Sequence, residues 1–293
     1  MTTPTIICFG EVLWDLLPTG KIAGGAPMNV AFHLNNFGLN AKMLSRAGAD
    51  ELGNELLQFL SKKGINTKFV QQDSSCPTGT VVVTLDEYGS PSYEITQSVA
   101  WDYIEFLPEQ KSEIEQADAF VYGSLAARNN RSRESLLQLL DVAGLKVFDV
   151  NLRTPFYSKD LLVTLLQQAT IVKMNDEELE LIGGWFYGEK SDVELVKLLK
   201  SQFDIDILIV TKGAKGAFLL DSTNEMIQVK AKKVTVKDTI GSGDSFLAGF
   251  LAQYLNKKDL HACLTFAAKT GALVATKKGG TPKINSAMVE ALS

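Results

Sequence analysis

The chain has 293 residues, 45% of them hydrophobic and 22% charged, with a formal net charge of -5. That is ordinary globular composition, and with no block of five like charges it argues against a nucleic-acid partner, which would need clustered Lys and Arg. Cys8, Cys76 and Cys263 stand isolated, so neither a disulfide framework nor a zinc site is expected, and a reducing cytoplasmic setting fits. The start Met1-Thr2-Thr3-Pro4 shows no basic, apolar leader, and no stretch approaches the ~20 apolar residues of a membrane span, so neither a secretory signal nor a membrane partner is expected.

In chain order, Ile6–Phe9 is a short apolar run ended by Gly10 and reads as a buried first strand. Pro27–Phe37 reads as a helix, with Pro in its first turn and Gly38 at its end. A strand near Ala41–Arg46 and a helix near Glu51–Lys63 follow. Thr80–Leu85 is rich in β-branched residues, Asp86–Gly89 suits a turn, and Ser92–Thr96 suits a returning strand. No helix separates these strands, so the spacing predicts a β lid inserted at about residues 67–100, standing apart from the main sheet. Strands are then predicted at Ala119–Tyr122, Lys146–Val150, Ile171–Lys173, Ile207–Thr211 and Ala217–Leu220. Helices at Ser132–Ala143, Asp160–Gln168 and Val193–Ser201 lie between most of them, and two more, Asp244–Leu255 and Leu260–Thr276, close the chain. This alternation implies an α/β, doubly wound, mostly parallel sheet in a single domain over residues 1–293.

The segment Asp238-Thr239-Ile240-Gly241-Ser242-Gly243-Asp244-Ser245-Phe246-Leu247-Ala248-Gly249-Phe250 carries the most chemistry. Small residues leave backbone amides exposed, and a helix start adds its positive dipole end; together they suit an anion. An acid beside an anion site makes sense if Asp244 takes a proton from a hydroxyl that attacks phosphorus. On Gly-Ser-Gly-Asp alone, a plain helix cap stays open. The longer string resembles the C-terminal signature D-T-x-G-x-G-D-x-F-x-x-G-F of the PfkB-type, ribokinase-like sugar kinases. The resemblance implies ATP as donor, Asp244 as base, and the Gly241, Ser242 and Gly243 amides as the hole for the transferring phosphoryl.

Upstream, Gly24-Gly25-Ala26-Pro27-Met28-Asn29-Val30-Ala31 and Gly10–Asp15 offer glycines for close approach, an amide and a carboxylate. The pair resembles the family's N-terminal sugar motif in its fructokinase form, implying Asp15, Gly25 and Asn29 as sugar contacts. Val99-Ala100-Trp101-Asp102 also resembles that group and adds Trp101. Asp149-Val150-Asn151-Leu152-Arg153 resembles D-x-N-x-R, implying Arg153 near the phosphates. Asn175-Asp176-Glu177-Glu178 resembles N-x-x-E, implying Asn175 at ATP and Glu178 on Mg²⁺ through water. Thr211-Lys212-Gly213-Ala214-Lys215-Gly216 resembles T-x-G-x-x-G, implying Thr211, Gly213 and Gly216 along ATP, whose adenine lies near Ala267–Thr276 and the Gly279-Gly280 turn.

Asp238 and Ile240 occupy the positions of a monovalent-cation loop, such as one for K⁺. Lys283 stands where a small polar residue is usual, so its ammonium could replace that cation. The resemblance further implies a homodimer paired through the lid. Fructose is the expected acceptor. The open alternatives are ribose, a nucleoside, 2-keto-3-deoxygluconate or a sugar phosphate, or a non-catalytic sugar sensor on the same fold. There is no Walker A motif, so a P-loop kinase is excluded.

Overall fold

The computed structural model describes residues 3–85 and 91–292. The chain starts with strand β1 (Thr5–Phe9), in which Ile6, Ile7, Cys8 and Phe9 are all fully buried. A strand buried on both faces reads as a continuous apolar run, which is why period two is absent here. Ile7 and Phe9 join the core on one side of the sheet, and Ile6 and Cys8 join the core on the other. Next come β2 (Leu13–Leu17) and β3 (Gly20–Gly24), an antiparallel hairpin closed by Pro18 and Thr19. Helix α1 (Ala26–Asn36) carries Pro27 in its first turn, and β4 (Asn40–Gly48) follows. Helix α2 (Glu51–Lys62) is capped by Asp50, whose side chain accepts from the Gly53 amide. Then come β5 (Asn66–Asp73), β6 (Gly79–Leu85) and β7 (Pro91–Ile95).

The second half alternates: α3 (Lys111–Glu115), β8 (Ala119–Gly123), α4 (Asn130–Val142), β9 (Lys146–Asp149), α5 (Lys159–Leu166) and β10 (Ile171–Asn175). Helices α6 (Asp176–Tyr187) and α7 (Asp192–Phe203) lead to β11 (Ile207–Thr211), β12 (Ala217–Leu220) and β13 (Met226–Val229). Helices α8 (Ser242–Leu255), α9 (Leu260–Ala275) and α10 (Ser286–Glu290) follow.

The main sheet runs β13-β12-β11-β10-β9-β8-β1-β4-β5. Its strands are parallel except for the antiparallel steps β11–β12 and β12–β13. From β1 the chain winds outward to β4 and β5, then returns to lay β8 on the other side of β1. That reversal is the topological switch point, and the crevice above the carboxyl ends of β1 and β8 is where such sheets place ligands. Glu11, Tyr122, Gly123, Asp149 and Asn151 line a small cavity there.

The second sheet, β3-β2-β6-β7, differs from the sequence expectation in two ways. Residues 66–73 are not its start, because β5 pairs with β4 at the edge of the main sheet. Half of it comes from β2 and β3, near the start of the chain, with β2 parallel to β6. The expected side-chain alternation holds: Val81 and Val83 are buried, while Val82 is 37% exposed. The proposed turn at Asp86–Gly89 lies outside the described residues.

Candidate active site

Helix α8 begins at Ser242, two residues earlier than expected. Gly241 is its cap residue, with φ 73°. A Cβ there would stand 2.5 Å from the Gly280 Cα, so both backbone angle and space require glycine. The early start bears on the amides expected to form the anion hole. The Ser242 amide already donates to the Thr239 carbonyl at 3.1 Å. The Gly241, Gly243 and Asp244 amides make no hydrogen bond among the described residues. Gly243 and Asp244 stand in the first turn, where the orphan donors and the positive dipole end coincide.

Asp244 is half-buried and accepts a hydrogen bond from Asn29 Nδ2 at 2.8 Å. This bond joins α8 to α1 across 215 positions of sequence. Burial pushes the Asp244 carboxyl up to about 6, and the nearby Asp149 charge adds to the push. The Asn29 bond, the Lys173 ammonium and the Arg153 guanidinium act the other way.

Lys173 was missed by the motif reading. It sits in β10, 6% exposed, and its ammonium donates to Asp149 Oδ1 at 2.8 Å, itself 4% exposed. That ammonium is also 3.4 Å from where a Cβ on Gly243 would lie. A buried cation therefore stands beneath the first turn of α8. One signal was available: a lone Lys inside the apolar run Ile171–Met174.

On the other side of the crevice, Asp15 in β2 is half-buried, and burial raises its carboxyl to about 6. The positive charge of the exposed Arg153 favours the ionised form of Asp15, of Asp244 and of Glu11. Gly25 has φ 121°, and a Cβ would meet the Glu11 carbonyl oxygen at 2.3 Å, so backbone packing alone demands glycine there. Trp101, the expected sugar contact, stands apart from the crevice-lining residues named above. It is fully buried, with the Arg128 guanidinium 4.0 Å from its ring centre. Arg128 is held in turn by two hydrogen bonds to Asp102, at 2.7 and 2.8 Å. The Ala-Trp-Asp motif thus packs the base of the small sheet.

On the nucleotide side, Asn175 and Glu178 form a reciprocal helix cap. Asn175 Oδ1 accepts from the Glu178 amide at 2.7 Å, and Glu178 Oε2 accepts from the Asn175 amide at 2.8 Å. Glu178 Oε1 accepts from the Leu152 amide at 2.8 Å, so this carboxylate also fixes the loop that carries Arg153. Thr211 ends β11, and Gly213 opens a short turn before β12. A Cβ on Gly216 would lie 2.1 Å from the Val229 carbonyl oxygen, so this glycine serves strand packing. Asp238 accepts from the Ile240 amide at 3.0 Å and from the Gly279 amide at 2.8 Å. Lys283 is exposed and forms no ion pair with Asp238, so the expected ammonium replacement is not present.

Residues 7–287 match the family described as pfkB family carbohydrate kinase. The chain is 30% identical to "Probable fructokinase-5" of Arabidopsis thaliana over 312 residues, covering 96% of this chain and 94% of that protein. Among solved structures, it resembles the fructokinase of Xylella fastidiosa with bound ATP, with TM-score 0.88, 25% identity and coverage of 98% and 97%. A fructokinase from Vibrio cholerae O395 bound to fructose, ADP and potassium superimposes with TM-score 0.84 at 28% identity, covering 99% and 98%. With the nine-stranded sheet, the second small sheet and an acid at the head of α8, these findings establish that the chain belongs to the PfkB family of carbohydrate kinases and is a sugar phosphotransferase.

Proposed function

We propose that the protein transfers the γ-phosphoryl of ATP to the 6-hydroxyl of D-fructose. The observation that carries the reading is the Asn29–Asp244 hydrogen bond. It brings the fructokinase-form sugar motif and the proposed base to one point, at the foot of a helix with free amides. Asp244 takes the proton of the acceptor hydroxyl as that oxygen attacks phosphorus. The Gly241, Gly243 and Asp244 amides, with the Lys173 ammonium beneath them, stabilise the charge gathering on the phosphoryl oxygens. Arg153, exposed on the loop that Glu178 fixes, adds a second cation. Catalysis of this kind is mostly positioning and electrostatics.

The donor set fits a water-mediated Mg²⁺. Both oxygens of Glu178 accept a backbone amide, yet each carboxylate oxygen has a further acceptor site for a metal-bound water. Magnesium held with the nucleotide would neutralise phosphate charge, and Asn175 would orient alongside it. Among the described residues no three His, Cys, Asp or Glu side chains are placed to hold a metal ion together, and the proposed ion is bound chiefly through phosphates and one or two carboxylates. Thr211 and Gly213 line the nucleotide side. The Asp238–Ile240 loop is the proposed K⁺ position, adjoining the Gly279-Gly280 turn.

A panel of sugars and nucleosides tests the acceptor. Fructose is expected to give the highest kcat/KM, and a higher value for ribose, a nucleoside, 2-keto-3-deoxygluconate or a sugar phosphate would overturn the fructose reading. The same assay in K⁺ and in a bulky organic cation at equal ionic strength tests the cation, with faster turnover expected in K⁺.

The small sheet is the proposed lid over the sugar and the proposed homodimer contact. Val82, 37% exposed, lies on the face opposite the buried Val81 and Val83, with half-buried Leu16 beside it in register, and a second copy would cover this apolar strip. Sedimentation velocity is expected to show a dimer that Val82→Lys dissociates; a wild-type monomer at tens of micromolar removes the pairing. No helix among the described residues is long and apolar enough to cross a membrane. The free thiols of Cys8, Cys76 and Cys263 suit the proposed reducing cytoplasm.

A further inference from the structure

The Gly279–Thr281 turn is gripped at three successive residues by three separate parts of the fold. The Gly279 amide donates to Asp238 Oδ2 at 2.8 Å, from the loop before α8. The Gly280 carbonyl meets His33 Nε2 at 2.9 Å, from α1. The Thr281 carbonyl accepts from Lys63 Nζ at 3.3 Å, from the end of α2. The turn is pressed between the two halves of the site. A Cβ on Gly280 would stand 2.8 Å from Asn29 Nδ2, and a Cβ on Gly241 would stand 2.5 Å from the Gly280 Cα.

His33 is the one fully buried grip of the three, and it lies one helical turn beyond Asn29 on α1. A carbonyl accepts, so Nε2 carries the proton. Nδ1 is then an acceptor, and it is buried with no partner among the described residues. Burial lowers the imidazole to about 4, so it is neutral and holds this tautomer near pH 7. An apolar residue would fill the same space without leaving Nδ1 unsatisfied. The imidazole therefore carries a local cost, and what it gains is one directed bond to Gly280.

We propose that His33 is a positioning residue for phosphoryl transfer: its imidazole fixes the Gly280 backbone between Gly241 and Asn29, and so sets the spacing of the amides from the base that Asn29 orients. The inference rests on the Asp244 and amide assignment above. It assigns a role to a residue that touches neither substrate, and it places the control of the hole on the sugar-side helix.

His33→Phe keeps a flat ring and removes the donor. Turnover is expected to fall about 10- to 100-fold, as small misplacements at reacting centres do. The sugar dissociation constant, measured by calorimetry without ATP, is expected to stay within about twofold of wild type, because ground-state binding is not what is lost. His33→Gln, whose amide N–H can reach the Gly280 carbonyl, is expected to restore most of the turnover. His33→Asn, polar but shorter, is expected to behave like Phe and serves if the Phe variant does not fold. A merely structural histidine would lower the melting temperature and leave the turnover of the folded fraction unchanged in all three variants. That result overturns the proposal, as does a Gln variant no faster than Asn. Asp244→Asn is run beside them. If it keeps wild-type turnover, the site assignment itself is wrong, whereas an inactive Asp244→Asn with an unaffected His33→Phe rejects the role of His33 alone.

Discussion

Asp244→Asn is expected to lower turnover by about 10²–10⁴-fold with the circular dichroism spectrum unchanged, the usual range for a general base. The substitution keeps shape and still offers an oxygen to Asn29 Nδ2, so the bond between α8 and α1 survives. What it removes is a proton acceptor that burial and the Asp149 charge have lifted to about 6. A base works in its unprotonated form. The wild-type kcat/KM is therefore expected to be flat near pH 7 and to fall about tenfold per pH unit below about 6. Glu11, lifted to about 7 by burial, is a second carboxyl in the same crevice. Glu11→Gln separates the two: the acid limb should stay near pH 6 if Asp244 is the base. A limb that moves with Glu11, or near-wild-type turnover in Asp244→Asn, would sink the assignment.

Asp149→Leu is expected to cost about 3–5 kcal/mol of stability, because it leaves the Lys173 ammonium charged and unpaired in a nearly dry place. For a chain of this size the melting temperature should drop by around 10 °C. Burial alone would lower the Lys173 pKa. The Asp149 carboxylate, and Glu178 after it, outweigh burial and hold the pKa above the ordinary lysine value. A lysine raised in the folded state contributes its stabilisation in full at neutral pH and loses it only as pH climbs through the folded pKa, so the deficit should be present at pH 7. The double change Asp149→Leu with Lys173→Met removes both charges and should recover much of the melting temperature, since an apolar pair of similar volume is often as stable as a buried ion pair. Turnover should not recover, because the cation beneath Gly243 is gone. Thermal melts and steady-state rates on the two variants check both halves. A double variant no more stable than the single would contradict the account, and so would one that regains wild-type turnover.

The centre of the main sheet was legible because its strands are apolar on both faces; β1, β8 and β11 fall within a residue or two of their predicted bounds. The small sheet was half legible. Thr80–Leu85 announces itself by β-branched residues, but Leu13–Leu17 and Gly20–Gly24 are short, flank a proline, and overlap motif residues that drew the functional reading. Strand β5 is polar and lies at the edge of the main sheet, so its sequence does not distinguish it from the strands of the lid. In the site, Asp244 and Asn29 could be named from their motifs, but their mutual hydrogen bond could not, since 215 positions separate them. Trp101 could be named from its motif, but its full burial against the Arg128 guanidinium could not, since Arg128 comes from another segment. Lys173, Glu178 and His33 owe their surroundings to partners on other elements, which no local pattern encodes.

The small sheet is stitched from two stretches, β2–β3 and β6–β7, with two strands of the main sheet and two helices running between them. It is therefore not a cassette. An exchange that transplants only the later stretch from a relative would leave β6 beside a β2 that was shaped for a different neighbour. Altering acceptor choice by swapping covers between relatives would require both stretches to travel together. In natural divergence the same coupling means that changes near the start of the chain and changes some sixty residues later must be accommodated jointly.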